Sequence, residues 1–134
     1  MMDVLKFLAQ KGHKTLSPSW YNIISLWQKW YKGKTPFHSY RVYNGSKFVG
    51  CKRKTLGMAK QVSEDKADLL MNEKVAITIP ADQDFLDAVL SENDFEEKGN
   101  ELIEKVAALG TGAFVEYLEG SDTCIDYVTA PRIF

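Results

Sequence analysis

Four side chains of the kind that ligate metals are spread along the sequence: His13, His38, Cys51 and Cys124. A tetrahedral zinc centre draws its ligands from short, paired spacings. These four match no such pattern, and His13 lies between Lys11 and Lys14, which repel a cation. No metal and no cofactor are expected. The two cysteines form no CxxC pair and read as the reduced thiols of a cytoplasmic protein. A second candidate chemistry is acid–base. Glu64, Asp65, Asp68 and Glu73 offer carboxylates paired at i, i+4 spacing, as Glu64 with Asp68. General acid–base catalysis needs a positioned proton acceptor and a reacting partner. No histidine or nucleophile accompanies these residues, so they read as a solvated helix face. No catalytic residue is assigned, and the chain is not expected to be an enzyme.

Gly110-Thr111-Gly112 carries the glycines of a phosphate loop without its Gly-Lys-Ser/Thr ending. It also follows a helical pattern where a phosphate loop precedes one. It reads as a helix stop. The basic residues carry more information. Lys29, Lys32, Lys34, Arg41, Lys47, Lys52, Arg53, Lys54 and Lys60 are interleaved with Trp27, Trp30, Tyr31, Phe37, Tyr40 and Phe48. Cations with aromatics can hold phosphates and stack bases. The formal charge of -1 hides a division. Residues 1–60 hold 12 Lys and Arg against one acid, Asp3, and residues 61–134 hold five against 17. Three readings compete, in this order. The charges pair within the chain or are solvated, with the tryptophans in the core. Alternatively, the two faces mate head-to-tail between identical subunits. Third, the basic half binds nucleic acid. The run Lys52-Arg53-Lys54 is the candidate subunit-contact or DNA-facing site.

These residues must be positioned by an α+β arrangement of helices and two strand pairs. Asp3 can cap a helix over Val4–Lys11 that Gly12 stops. Ser17-Pro18 is a helix start, and Trp20, Ile23, Ile24, Trp27, Trp30 and Tyr31 form one apolar stripe that Gly33 ends. Asn44-Gly45 predicts a two-residue type I′ hairpin within 38–53. It pairs Tyr43 with Ser46 and Val42 with Lys47, and turns His38, Tyr40, Val42, Val49 and Cys51 toward the core. Thr55 is the expected cap of a central helix within Leu56–Val75, with Ala59, Val62, Ala67 and Leu70 inward. Val75–Ile79 reads as a strand stopped by Pro80. Asp82 opens a helix with Phe85, Leu86, Val89 and Leu90 inward. Asp94 and Glu97 suggest a capping box for the next, with Leu102, Ile103, Val106 and Leu109 inward. Strands over Ala113–Leu118 and Cys124–Thr129 pair within 113–129 across Gly120-Ser121-Asp122. There is no apolar run of membrane-spanning length and no secretory signal. The apolar ending Ile133-Phe134 reads as a cut from a longer protein.

The runs WYNIISLWQKWYKGKTPFHSYRVYNG, KRKTLGMAKQVSEDKADLLMNEKVAI, ALGTGAFVEYLEG and CIDYVTAPRIF resemble the N-terminal part of portal proteins of tailed phages and prophages of Gram-positive bacteria. The blocks keep the family's order and cover nearly the whole chain. The resemblance implies a structural virion component. In that family the subunits form a ring, typically a dodecamer, at one capsid vertex, and double-stranded DNA is packaged and released through its channel. The implied partners are further copies of the subunit, terminase, head-completion proteins and scaffolding or capsid proteins. The implied locations are the virion and, during assembly, the host bacterial cytoplasm, with no membrane. The resemblance implies that residues 1–134 are a single N-terminal, wing-like domain of a longer subunit. At Lys66 relatives typically carry tryptophan. The periodicity places Lys66 on the apolar face of the central helix, where a buried lysine is costly. The alternative to the portal reading is a small stand-alone nucleic-acid-binding module that uses the basic aromatic half.

Overall fold

The computed structural model of the chain describes residues 2–71 and 76–133, with side chains from Val4 onward. Glu73, Val75 and Phe134, and the carboxylate of Asp3, lie outside the described residues. Helix α1 (Met2–Gln10) is followed by α2 (Pro18–Tyr31), a short 3-10 turn (Pro36–His38), and the hairpin β1 (Ser39–Tyr43) and β2 (Phe48–Lys52). Then come α3 (Met58–Leu70), α4 (Gln83–Glu92), α5 (Phe95–Leu109), the ribbon β3 (Gly112–Glu119) and β4 (Asp122–Thr129), and a last 3-10 turn (Ala130–Arg132). The class is α+β, with two separate antiparallel strand pairs among the described residues.

Local chemistry explains most of the boundaries. Gly12 ends α1 at φ 80°, although α1 begins at Met2 and so takes Asp3 inside it. Ser17 is extended and Pro18 opens α2. The Asp82 carboxylate accepts from the Phe85 amide at 3.1 Å and caps α4. Gly110, at φ 82°, closes α5. Two expected caps do not form. Asp94 is left-handed at φ 51° and makes no side-chain cap; its carboxylate pairs with Lys98 at 2.9 Å instead. Thr55 lies too early for α3, whose cap is Gly57 at φ 64°; the Thr55 hydroxyl accepts from the Gly57 amide.

Helix α5 is the centre of the packing. It touches α2, α3, α4, both strands of the ribbon and the final 3-10 turn. Ile24, Leu109 and Ala130 form the buried cluster, with Trp20 and Ala108 against it. Leu102 and Leu109 of α5 point inward as expected. The face of α3 is different from the one the periodicity suggests. Ala67 is buried as expected, but Ser63 is its buried companion; Ala59 is exposed, Val62 and Leu70 are more than half exposed, and Lys66 is exposed with them. Small side chains let two helix backbones approach, and here that outweighs the larger apolar residues one face over. Lys66 therefore carries no burial cost. On α2 the inward line is Tyr21 and Ile24, leaving Ile23, Trp27 and Trp30 partly in solvent; on α4, Phe85 is outward. Residues 76–79 form no strand. Their polar backbone groups turn to Gln83, whose side-chain amide donates to the Ile77 carbonyl and whose side-chain oxygen accepts from the Ile79 amide.

The ribbon is held to the helices by Asn93. Its side-chain nitrogen donates to the carbonyls of Val89 and Thr123, both at 2.8 Å. Its side-chain oxygen accepts from the Ile125 amide at 2.7 Å. The Tyr127 hydroxyl donates to the Asn93 carbonyl. Asn93→Ala strands an amide and a carbonyl of β4, and a part-buried polar group left unpaired costs about 1–3 kcal/mol. Urea unfolding should register that loss; a change under about 0.5 kcal/mol, the size of an ordinary surface substitution, would contradict the role.

The chain exposes 10367 Å² of surface at 15.2 kDa. A compact monomer of that mass exposes roughly 7,100 Å². Phe48, Leu56, Leu69 and Leu118 are each more than two-thirds exposed. Surface of this extent and character is usual for a protein that is covered by partners.

Candidate interaction surface

The β1–β2 hairpin stands apart from the helices. Both strands are exposed on both faces, with only Cys51 partly shielded. The expected core role of Tyr40, Val42, Val49 and Cys51 is thus not observed; His38 alone of that set is buried, in the 3-10 turn before β1. The turn also differs. The type I′ geometry needs positive φ at both central residues, and Asn44 is not in that region. Instead the Asn44 side-chain oxygen accepts from the amides of Ser46 and Lys47, which imitates a backbone turn and lengthens the loop. Pairing becomes Tyr43 with Phe48, Val42 with Val49 and Tyr40 with Cys51. The register moves by two residues, so each side chain keeps its face.

One face of the hairpin carries Arg41, Lys52, Tyr43 and Phe48, the two rings 5.3 Å apart between centroids. Among the described residues, Arg41, Lys47, Lys52 and Lys54 make no ion pair; those present are Lys60–Glu64, Lys98–Asp94 and Lys105–Glu101, each spanning one helical turn. Only Lys60–Glu64 joins a cation of residues 1–60 to an acid of residues 61–134 among the described residues, so the cations of the hairpin and of Lys54 are not neutralised there. Arg53 has a separate role from its neighbours. Its guanidinium lies 4.8 Å from the Phe37 ring centre and 4.5 Å from that of Tyr40, donates to the Phe37 carbonyl at 2.6 Å, and its amide donates to the His38 carbonyl. It fastens the base of the hairpin. The run Lys52-Arg53-Lys54 thus divides into two exposed cations and one structural arginine.

A second surface lies at the α4–α5 corner. A cleft of about 960 Å³ has Met71, Ile77, Leu90 and Phe95 in its apolar part and Asp87, Asp94, Glu96 and Glu97 among its polar lining. The carboxylates of α3 are already engaged: Glu64 with Lys60, Asp65 with Gln61 and Asp68 with Asn100. That leaves them as surface groups with no reacting partner. His38 packs against Trp30 and Phe37. No three His, Cys, Asp or Glu side chains converge among the described residues, and both cysteines are free. No helix of the described residues is long and apolar enough to cross a membrane.

The basic and acidic halves are joined by several hydrogen bonds, among them Lys60 to Glu64 and the Tyr21 hydroxyl to the Ile133 carbonyl. The Tyr31 hydroxyl on α2 donates to the Glu104 carboxylate on α5. Burial first, then that bond and the negative charge of Glu104, hold the phenol well above its ordinary range. Because the folded state holds this proton more tightly than the unfolded state, its stabilisation is complete below the unfolded pKa near 10 and declines as pH rises beyond it. Tyr31→Phe should lose about 1 kcal/mol at neutral pH. It should also lose less on going above pH of about 10 than the parent chain does. Denaturant titrations at both pH values check this, and parallel alkaline losses in the two proteins would refute it.

Sequence reasoning found the basic residues of the hairpin. It missed the pairing of Tyr43 with Phe48, and it missed the acid-lined cleft, which forms only where residues 76–78, α4 and the start of α5 come together. Residues 21–134 match the family model described as "Phage portal protein, SPP1 Gp6-like". No curated protein and no solved structure matches the chain.

Proposed function

Because the chain belongs to the SPP1 Gp6-like phage portal protein family, we propose that it builds the peripheral, wing-like part of a portal ring through which double-stranded DNA is packaged and released. The family is one of structural virion proteins, and the work of this chain is assembly rather than catalysis. The observation that carries this reading is the family match across residues 21–134. The excess of exposed surface over a compact monomer supports it, since ring subunits cover one another. The proposed partners are further copies of the subunit, then terminase, head-completion, and scaffolding or capsid proteins, met in the host cytoplasm and retained in the virion. The same reading takes residues 1–134 as one N-terminal domain of the subunit; the contacts of α5 with elements of both charged halves support that. Native mass spectrometry and negative-stain imaging of the protein from its complete reading frame should give a ring. A monomer at high concentration and low salt would count decisively against it.

One observation favours a second reading, a nucleic-acid-binding module: the exposed hairpin face that combines Arg41 and Lys52 with Tyr43 and Phe48. On that reading DNA affinity falls steeply with salt, by about one logarithmic unit per neutralised phosphate per logarithmic unit of salt. Weak, salt-independent binding would remove it.

A further inference from the structure

We propose that the β1–β2 hairpin is an assembly arm that seats its basic, aromatic face in the α4–α5 cleft of a second copy of this chain. The inference rests on the ring-subunit reading and names the surfaces that reading requires. The arm presents Arg41 and Lys52 around the Tyr43–Phe48 pair, and its strands are exposed on both faces. The cleft offers the complement: its lining combines apolar Leu90 and Phe95 with the acids Asp87, Glu96 and Glu97. Aromatic side chains flanked by cations are well suited to a pocket of this chemistry, with the rings desolvated and the charges at the rim.

Charge complementarity decides the occupant. The cations of the arm have no ion-pair partner among the described residues, and the acids that would answer them belong to the other half of the same sequence. Arm and cleft are different surfaces, so each copy can give one and receive the other. That contact is heterologous and generates a closed ring when its rotation closes. The chain's exposed surface of 10367 Å² leaves room for such contacts. A standard interface buries about 800 Å² on each partner. One subunit engaged through both surfaces therefore buries about 1,600 Å², well inside its excess over a compact monomer's roughly 7,100 Å².

Complementary charge reversals test the proposal on the whole chain. The arm variant is R41E/K52E, the cleft variant E96K/E97K, all at exposed positions; Arg53 is left intact because it fastens the hairpin. Circular dichroism checks the fold, and E96Q/E97Q, which removes charge without repelling, is a milder second cleft variant expected to fall between parent and reversal. Sedimentation equilibrium should show self-association of each reversal weakened on the order of a hundredfold or more, as like charges meet in the contact. An equimolar mixture of the two reversals should recover it, with native mass spectrometry showing strict alternation. Association that survives both reversals overturns the arm while leaving the ring reading in place. A parent chain that never associates overturns both. If the arm reversal abolishes salt-steep binding to a double-stranded oligonucleotide and leaves self-association unchanged, the hairpin is a nucleic-acid element and the proposal fails.

Discussion

Leu109→Ala is expected to remove about 2–5 kcal/mol of stability. Leu109 is 4% exposed and shares the buried cluster with Ile24 and Ala130. Truncating it loses the transfer of its side chain and leaves a cavity that its neighbours can only partly fill. The effect should be large in proportion because the cluster is small: no large side chain among the described residues is wholly enclosed. Domains of this size are stable by about 5–15 kcal/mol in total, so one leucine is a substantial share. Leu109 also joins α2, in the basic half, to α5 in the acidic half. Its loss should loosen the connection between the proposed arm and the proposed cleft. Urea unfolding should show a lower midpoint with an unchanged slope, and a melting temperature lower by roughly 3–6 °C for each kcal/mol. A loss below about 1 kcal/mol would mean that the core lies elsewhere.

Gly112→Val should cost about 3 kcal/mol, at the upper end of what overpacking usually produces. A Cβ at this position would meet the Val106 side chain at 2.6 Å, that of Leu102 at 3.1 Å and the Val128 carbonyl at 3.3 Å. The first residue of β3 is where the ribbon turns back onto α5, and only a hydrogen fits between them. Gly112→Ala should show a smaller loss of the same sign, about 1–2 kcal/mol. Pairing Gly112→Val with Val106→Ala makes room for the new side chain, so the double variant should recover part of the loss. A double-mutant cycle reads this coupling directly. Strict additivity would show that the ribbon simply moves away from α5.

Gly110 and Gly112 show how much of the fold was legible. Both were visible as a helix stop, yet they act by different physics. Gly110 is left-handed and supplies the conformation that ends α5; Gly112 supplies space. The first role is written into the local chain. The second depends on what α5 and β4 place above it. The hairpin divides in the same way. Its location and its two faces followed from alternation and the Asn44-Gly45 signal, and they survived a register change of two. Its exposure did not follow, because a half-apolar strand pair reads the same whether the face is covered by its own chain or by another.

Central helix α3 separates the two kinds of information most clearly. By itself the sequence determined that a helix stands here, that the charge changes sign beside it, and that the family's blocks run through it in order. It also determined the helix starts at Ser17-Pro18 and Asp82, the stops at Gly12 and Gly110, and the β3–β4 pairing, because each depends on one residue and its neighbours within a turn. Which face of α3 is inward was decided only by tertiary structure. Ser63 and Ala67 are buried while Val62 and Leu70 face outward with Lys66. Apolar spacing reports how much a face gains by leaving water; it is silent on whether a neighbouring helix can come close enough to cover it. Close approach favours small side chains, and that depends on the shape of α5, which no window of α3 contains.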